Sequence, residues 1–228
     1  MIKTAIVTGA SSGIGLEIAK ALCKDGYEVF GLARDFKKCE FNHDNFIQRE
    51  CDITNQKEIT YFWELMKKKR VDILVHSAGV GYFGLHENIG FDEIEKMIDT
   101  NLKAPLYISK LFIRHLKETK GYIFNINSIS AIKSATYGAV YGATKAGLKH
   151  FGNSLFNEYR KSGIKVVNIE PDITKTPWFE DKNFTYHDSN DTVIEPKEIA
   201  KIVLDIISLK SVVTDIVIEP QKFRIEKK

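Results

Sequence analysis

Short apolar runs rich in strand-forming residues alternate along this chain with stretches of helical spacing. The runs are Lys3-Thr-Ala-Ile-Val7, Glu28 to Arg34, Phe46 to Cys51, Val71 to Val75, Tyr122 to Ile126, Ile164 to Ile169 and Thr214 to Ile218. They read as strands. Between them, Leu16 to Lys24 keeps Leu16, Ile18, Ala19 and Leu22 on one side of a helix. Further helices are predicted over 56–68, 92–118, 141–161 and 196–209. The first of these opens on an Asn55…Glu58 capping box, and the last on Glu195-Pro196, proline being welcome in a first turn. Strands alternating with helices imply an α/β fold, a doubly wound and mostly parallel sheet with helices on both faces. Ligands of such sheets bind beyond the C-terminal strand ends. Residues 174–195 lack periodicity and carry Trp178, Phe179, Phe184 and Tyr186 among Asp, Asn and Ser.

Composition narrows the field. A chain of 228 residues, 43% hydrophobic and 28% charged, suits one domain spanning 1–228 with a real core. The net charge of +3 is mild, and Lys67-Lys-Lys-Arg70 reads as the cationic end of a helix, so no nucleic-acid partner is expected. No run approaches the roughly twenty apolar residues that cross a membrane. Strand-like sequence from residue 2 leaves no room for a signal peptide, which points to the cytoplasm. Cys23, Cys39 and Cys51 are odd in number and lack Cys-x-x-Cys spacing, so neither a metal site nor a disulfide framework is expected.

The first strand runs into Thr8-Gly-Ala-Ser-Ser-Gly-Ile-Gly15 and then a helix. Strand, glycine turn, helix is the context in which glycines let a backbone approach a pyrophosphate, with helix N–H groups facing it. The spacing Gly9-x-x-x-Gly13-x-Gly15 departs from the Gly-x-Gly-x-x-Gly of many Rossmann dehydrogenases. Farther on, Tyr141 and Lys145 are one helical turn apart, and Ser128 ends an apolar strand thirteen residues before the tyrosine. A free tyrosine, with a pKa of about 10, is a poor base, and a neighbouring cation favours its phenolate. Ser128 is suited to bond the oxygen of a carbonyl or alcohol. Together the three are equipped to move a proton on and off a substrate oxygen.

These motifs, with Asp52-Ile53, His76-Ser77-Ala78-Gly79, Asn101 and Pro171 to Thr176 in the same order, resemble the short-chain dehydrogenase/reductase family in its compact single-domain branch. The resemblance implies a Rossmann-like fold and an NAD(P)-dependent oxidoreductase acting on a carbonyl or alcohol. It carries Tyr141 over as the acid or base, Ser128 as the group orienting the substrate oxygen, and Asn101 as support for a water relay behind Lys145. Lys145 would also hold the nicotinamide ribose. Cofactor contacts are implied at Gly9, Ser11, Ser12, Gly13, Ile14 and Gly15, at Asp52 (the adenine amino group) and Ile53, at Ala78 and Gly79, at Pro171, and at Thr176 (the carboxamide). The segment 174–195 corresponds to the family's mobile substrate lid. Where NAD users carry an acid after the second strand, this chain has Ala33 and then Arg34, which favours NADP over NAD.

Two departures stand out. His76 replaces the usual first asparagine and is expected to be a structural substitute. Asp172 replaces the glycine after Pro171, where a carboxylate beside the nicotinamide would disfavour acidic substrates. Tyr82, Phe83 and Tyr137 are candidate aromatic walls. The expected substrate is a small or medium carbonyl compound or alcohol. Alternatives are a nucleotide-sensing regulatory protein on the same fold and a reductase of acyl-carrier-bound substrates. Leu106, Ile108, Leu111, Phe112, Phe151, Leu155 and Phe156 exceed what one sheet face needs. Relatives pair these helices, so a homo-oligomer, tetramer or dimer, is expected.

Overall fold

The computed structural model describes residues 2–228. Seven parallel strands form one sheet in the order β3-β2-β1-β4-β5-β6-β8. They are β1 (Thr4–Thr8), β2 (Glu28–Ala33), β3 (Phe46–Glu50), β4 (Ile73–His76), β5 (Tyr122–Ile126), β6 (Lys165–Pro171) and β8 (Asp215–Ile218). A separate pair joins β7 (Phe184–Tyr186) antiparallel to β9 (Ile225–Lys227). The helices are α1 (Gly13–Lys24), α2 (Gln56–Met66), α3 (Phe91–Ile98), α4 (Ala104–Thr119), α5 (Ala139–Tyr159) and α6 (Pro196–Ser208). The chain winds outward from β1 to β3 and then returns to build β4 on the other side of β1. The crevice where its direction switches therefore opens beyond Thr8 and His76.

Period-two alternation assigns each strand residue to one of two apolar layers. Ala5, Val7, Val29, Val75 and Phe124 pack on α1 and α6, which bury Ile18, Leu22, Ile199 and Val203. Ile6, Phe30, Leu74 and Ile123 face α2, α4 and α5. Burial on both faces is why these strands read as continuous apolar runs.

Helix boundaries differ from the sequence expectation in instructive ways. Helix α1 begins at Gly13 rather than Leu16, so the glycine turn is itself the helix N-terminus. The helix expected over 92–118 is interrupted by a π-helical turn at Asp99–Lys103. Pro105, in the first turn of α4, has no N–H to offer the Asn101 carbonyl four residues earlier, so the α ladder cannot run through this point. The capping box also differs. Asn55 accepts from the Lys57 N–H, while Glu58 accepts from the Asn55 side-chain amide at 2.8 Å and from the Asp52 N–H at 2.7 Å, not from the Asn55 N–H. The basic run 67–70 is dispersed into pairs with Glu64, Glu28 and Asp72. No helix among the described residues is long and apolar enough to cross a membrane.

Candidate active site

The glycine turn is held by close backbone contact. Gly9 has φ +68° and donates to Leu32 O at 2.8 Å. A Cβ on Gly9 would lie 2.8 Å from Ala78 Cα, and Gly15 is pressed as tightly against the Gly9 carbonyl. Gly13 also has positive φ, at +55°. At Gly9 and Gly15 no L side chain fits without moving backbone, and at Gly13 the left-handed conformation itself favours glycine. Thr8 locks the two strand ends together. Its hydroxyl donates to Val75 O and accepts from the Ser77 and Ala78 N–H groups, at 3.1 and 3.2 Å. Ser12 is the N-cap of α1 but its side chain makes no capping bond. The first N–H groups of the helix, those of Gly13 and Ile14 among them, are thus left to an outside acceptor, beside the half-buried Ser11. Both the glycine cradle and these donors fit a dinucleotide pyrophosphate.

The flanking residues are arranged as follows. Arg34 is exposed at the end of β2, while Asp35 accepts from the Lys37 N–H. Asp52 uses Oδ1 to accept from both the N–H and the hydroxyl of Thr54, at 2.9 and 2.7 Å. Ile53 is a core residue, only 7% exposed. Thr176 comes over the glycine turn, with its methyl carbon 3.2 Å from where a Gly13 Cβ would stand. Pro171 ends β6.

Ser128, Tyr141 and Lys145 do converge. Ser128 follows β5 and accepts from the Ser130 N–H at 3.1 Å. Burial pushes the Tyr141 phenol up to about 12, and the Ser128 side chain pulls in the opposite direction. Lys145 is buried, donates to Ile126 O at 3.0 Å and lies 5.9 Å from the Tyr141 ring centroid. Burial pushes its own pKa down to about 8. The expectation that Lys145 draws the phenol down is therefore reversed here: desolvation dominates both groups and moves their pKa values apart. Asn101, in the π turn, bonds both backbone groups of Val80, at 2.9 and 2.8 Å, and donates to the Thr144 hydroxyl. It splints the loop after β4 to α5. Gly79 faces Asn101 Oδ1 and Lys145 Nζ, each 3.5 Å from the position of a Cβ.

His76 is structural. Its Nε2 lies 2.9 Å from Ser109 Oγ under α4, and burial lowers its pKa to about 3. Asp172 is bonded within its own turn. Its Oδ1 accepts from the Ile173 N–H at 2.9 Å, and its charged neighbours are Glu219 and Lys133. Burial raises its pKa. The carboxylate is thus engaged just beyond the end of β6.

Phe83 and residues of 174–195 form an aromatic cluster around Tyr141. Phe83 lies 5.3 Å from Tyr141, 5.6 Å from Trp178 and 5.3 Å from Phe184, and Trp178 lies 5.9 Å from Tyr141, all between ring centroids. Phe179 and Tyr186 extend the cluster, and the Lys182 ammonium lies 4.9 Å from the Trp178 ring. Tyr137 is exposed and stands outside this cluster. Sequence reasoning missed a polar layer beneath α5: Asn125, Asn127, Asn168 and Glu170 are buried, with Lys149 bonding Glu170 at 3.0 Å. Polar residues at every second position of two apolar strands were its signal. It also missed β9.

The family described as short chain dehydrogenase matches this sequence over residues 3–186. An uncharacterized oxidoreductase of Staphylococcus saprophyticus is 32% identical over 213 residues, covering 89% of each chain. One from Staphylococcus haemolyticus is 33% identical over the same length and coverage. Among solved structures, an alcohol dehydrogenase from the archaeon Thermococcus sibiricus, complexed with 5-hydroxy-NADP, superposes with a TM-score of 0.88. It is 25% identical, over 98% of this chain and 99% of that one. A 4-hydroxyisoleucine dehydrogenase complexed with NADH gives 0.83 at 25% identity, over 96% and 97%. The glycine cradle, the ordered motifs and a family match over most of its length establish that this chain belongs to the short-chain dehydrogenase family of oxidoreductases.

Proposed function

We propose that this protein is an NADP-preferring reductase of small or medium carbonyl compounds, or the corresponding alcohol dehydrogenase, with Tyr141 as the group that moves the proton. The observation carrying this reading is the convergence of Ser128, Tyr141 and Lys145 in one buried spot beyond the strand ends. When bound, the nicotinamide cofactor supplies or accepts the hydride. Tyr141, protonated at neutral pH, is charged with the proton that a reduced oxygen needs. Ser128 orients that oxygen and stabilises charge developing on it. Lys145 sits one turn away and supplies a cation that favours the phenolate after the proton has left. Asn101 keeps the loop carrying Gly79 and Val80 against α5.

NADP preference rests on Arg34, exposed beside a strand end that offers no acid at Ala33. We read residues 1–228 as one domain and 174–195 as its lid. Homo-oligomer formation through α4 and α5 rests on fewer residues than the sequence suggested. Ile108, Phe112 and Leu155 are buried in the protein's own core, while Leu106, Leu111, Phe151 and Phe156 remain partly accessible. A cytoplasmic setting agrees with three free cysteines, two of them buried with thiols pushed up to about 11.

The test is NADPH oxidation against a panel of aldehydes, ketones and keto acids, in wild type and Tyr141→Phe. Turnover in the variant should fall at least about a hundredfold, the lower range for losing a general acid, while NADPH fluorescence titration shows nearly unchanged binding. Appreciable turnover in Tyr141→Phe would remove the proposed role.

A further inference from the structure

The last residues of the chain are folded onto the lid. Strand β9 pairs with β7 in the register Phe184 to Lys227, Thr185 to Glu226 and Tyr186 to Ile225. Both ends of this pairing are pinned. At one end the Lys222 N–H donates to Asp191 O at 2.7 Å, and its ammonium lies 2.6 Å from the Asp191 carboxylate. At the other, the Lys228 N–H donates to Asn183 O at 2.9 Å. The Lys228 ammonium donates to Phe179 O at 2.5 Å and Glu180 O at 3.0 Å. Those carbonyls close the short 3₁₀ turn Pro177–Phe179, which carries Trp178. Trp178 in turn stands over Tyr141 and Phe83.

This contact is of an unusual kind for the fold. Residues 221–228 are all exposed, so almost no apolar burial holds them down. A two-stranded ladder of three residue pairs is marginal by itself in water. What remains is backbone pairing and charge: ammonium groups at both ends, one on a carboxylate and one on the carbonyls that end a helical turn. Charge-assisted bonds are the stronger class. The ends of segment 174–195 are anchored by Thr174, Thr192, Val193 and Ile194, all buried, while its middle rests on its own aromatic cluster.

We propose that β9 is a clasp for the lid, and that Lys228 is a positioning residue that acts through the Pro177–Phe179 turn to hold Trp178 over Tyr141. The inference rests on the reading of Tyr141 as the reacting group only for its kinetic consequence. The structural consequence stands apart from activity. A clasp made of exposed charges and a short ladder opens readily to admit a substrate, and closes again without disturbing the core.

The test uses the full chain with Trp63→Phe, which leaves Trp178 as the sole tryptophan. Lys228→Met should raise acrylamide quenching of Trp178 and speed chymotrypsin cleavage within 177–186 by about tenfold, the scale of one lost charge-assisted bond. Lys228→Arg should restore most of the protection, since a guanidinium also reaches paired carbonyls. Replacing the Phe223 codon by a stop should reproduce the Lys228→Met effect or exceed it. NADPH titration checks that each variant is folded. On the panel carbonyl that the wild type reduces best, KM should rise more than kcat falls. Wild-type quenching and cleavage in both Lys228→Met and the truncated chain would overturn the proposal, as would an Arg variant no better protected than the Met variant. Failure of the Tyr141 reading looks different: turnover survives in Tyr141→Phe while Trp178 stays protected.

Discussion

The glycine turn and the lid face each other across the same crevice, but they are held in place by different physics. At the turn, backbone meets backbone: Gly9 against Ala78, and Gly15 against Gly9. Its shape is set by the absence of side chains and by one hydroxyl, Thr8, shared between two strand ends. At the lid, nothing approaches so closely except Gly81, whose missing Cβ makes room for the Trp178 and Phe83 rings. There the shape comes from aromatic rings and from a strand far away in sequence. A region defined by backbone sterics tolerates almost no substitution and little motion. A region defined by ring packing and exposed charges can reorganise around different substrates.

The strongest way to break this comparison is to put a side chain into the turn. Gly9→Val requires φ near +68° of a β-branched residue and places its Cβ 2.8 Å from Ala78 Cα. Strain of this kind is on the order of 1–3 kcal/mol before any clash is counted. NADPH titration should show binding weakened at least about a hundredfold, because the cradle must shift as a unit. Meanwhile chymotrypsin protection of the lid should stay near the wild-type level. Loss of both together would show that the two regions are not separately held.

Lys145 lies at the seam between them, and its effect can be read in pH. Its folded pKa, about 8, lies below the ordinary 10.5. Between these values the unfolded chain holds a proton that the folded protein has released, so stability rises with pH across that window. The full gain is on the order of 3 kcal/mol. Tyr141 opposes it only higher up. With a folded pKa of about 12 against an ordinary 10, the folded protein keeps a proton that the unfolded chain gives up, and stability falls from pH 10 to 12. Cys23 and Cys51, with thiols pushed up to about 11 from an ordinary 9, lose stability over part of the same window. The reading is therefore the difference between proteins: in urea melts at pH 8 and pH 10 the wild type should gain more, or lose less, than Lys145→Met. Equal changes in the two would mean that other groups carry the window.

The same contrast explains what could be read in advance. The alternating strands, the glycine turn, the Ser128, Tyr141 and Lys145 trio and its order along the chain were legible, because local periodicity and fixed spacing encode them. The break at Asp99–Lys103 was legible in principle, since Pro105 sat inside the expected helix. The pKa directions at Tyr141 and Lys145 were not. Spacing shows which charges are neighbours but not how deeply both are buried, and here burial is the larger effect. The β7–β9 pairing was equally hidden. Three residues of exposed strand have no apolar signature, and their partner lies some forty positions away in a segment without periodicity.

Cofactor choice gives a smaller effect and tests the turn side alone. Arg34→Asp replaces attraction by repulsion at the end of β2, where the side chain is exposed. A charge-assisted contact is worth about 1.5–3 kcal/mol. The NADPH-to-NADH ratio of kcat/KM should therefore fall at least tenfold, while lid protection is untouched. An unchanged ratio would remove Arg34 as a residue that selects the cofactor.

The smallest effect is expected at Asp172, where the lid leaves β6. A carboxylate facing a substrate at roughly 4 Å and an effective dielectric of about 20 would interact with its charge by about 4 kcal/mol. In this structure Asp172 is engaged locally. It folds back on the Ile173 N–H, its carbonyl accepts from the Thr174 hydroxyl, and its own N–H is given to Ile218. Its charge is shared with Glu219 and Lys133, which pair with each other at 2.8 Å. Burial raises its pKa, so the ionised form is already disfavoured there. Asp172→Asn keeps an oxygen for the Ile173 N–H and removes only the charge. It should change kcat/KM for keto acids and for neutral aldehydes by similar factors, within about twofold, well under the 1.4 kcal/mol that marks a tenfold change. A selective gain for keto acids would place the carboxylate in the pocket during turnover. The root of the lid would then have to rotate on closing, and the division between a fixed turn and a movable lid would have to be drawn at β6 instead of after it.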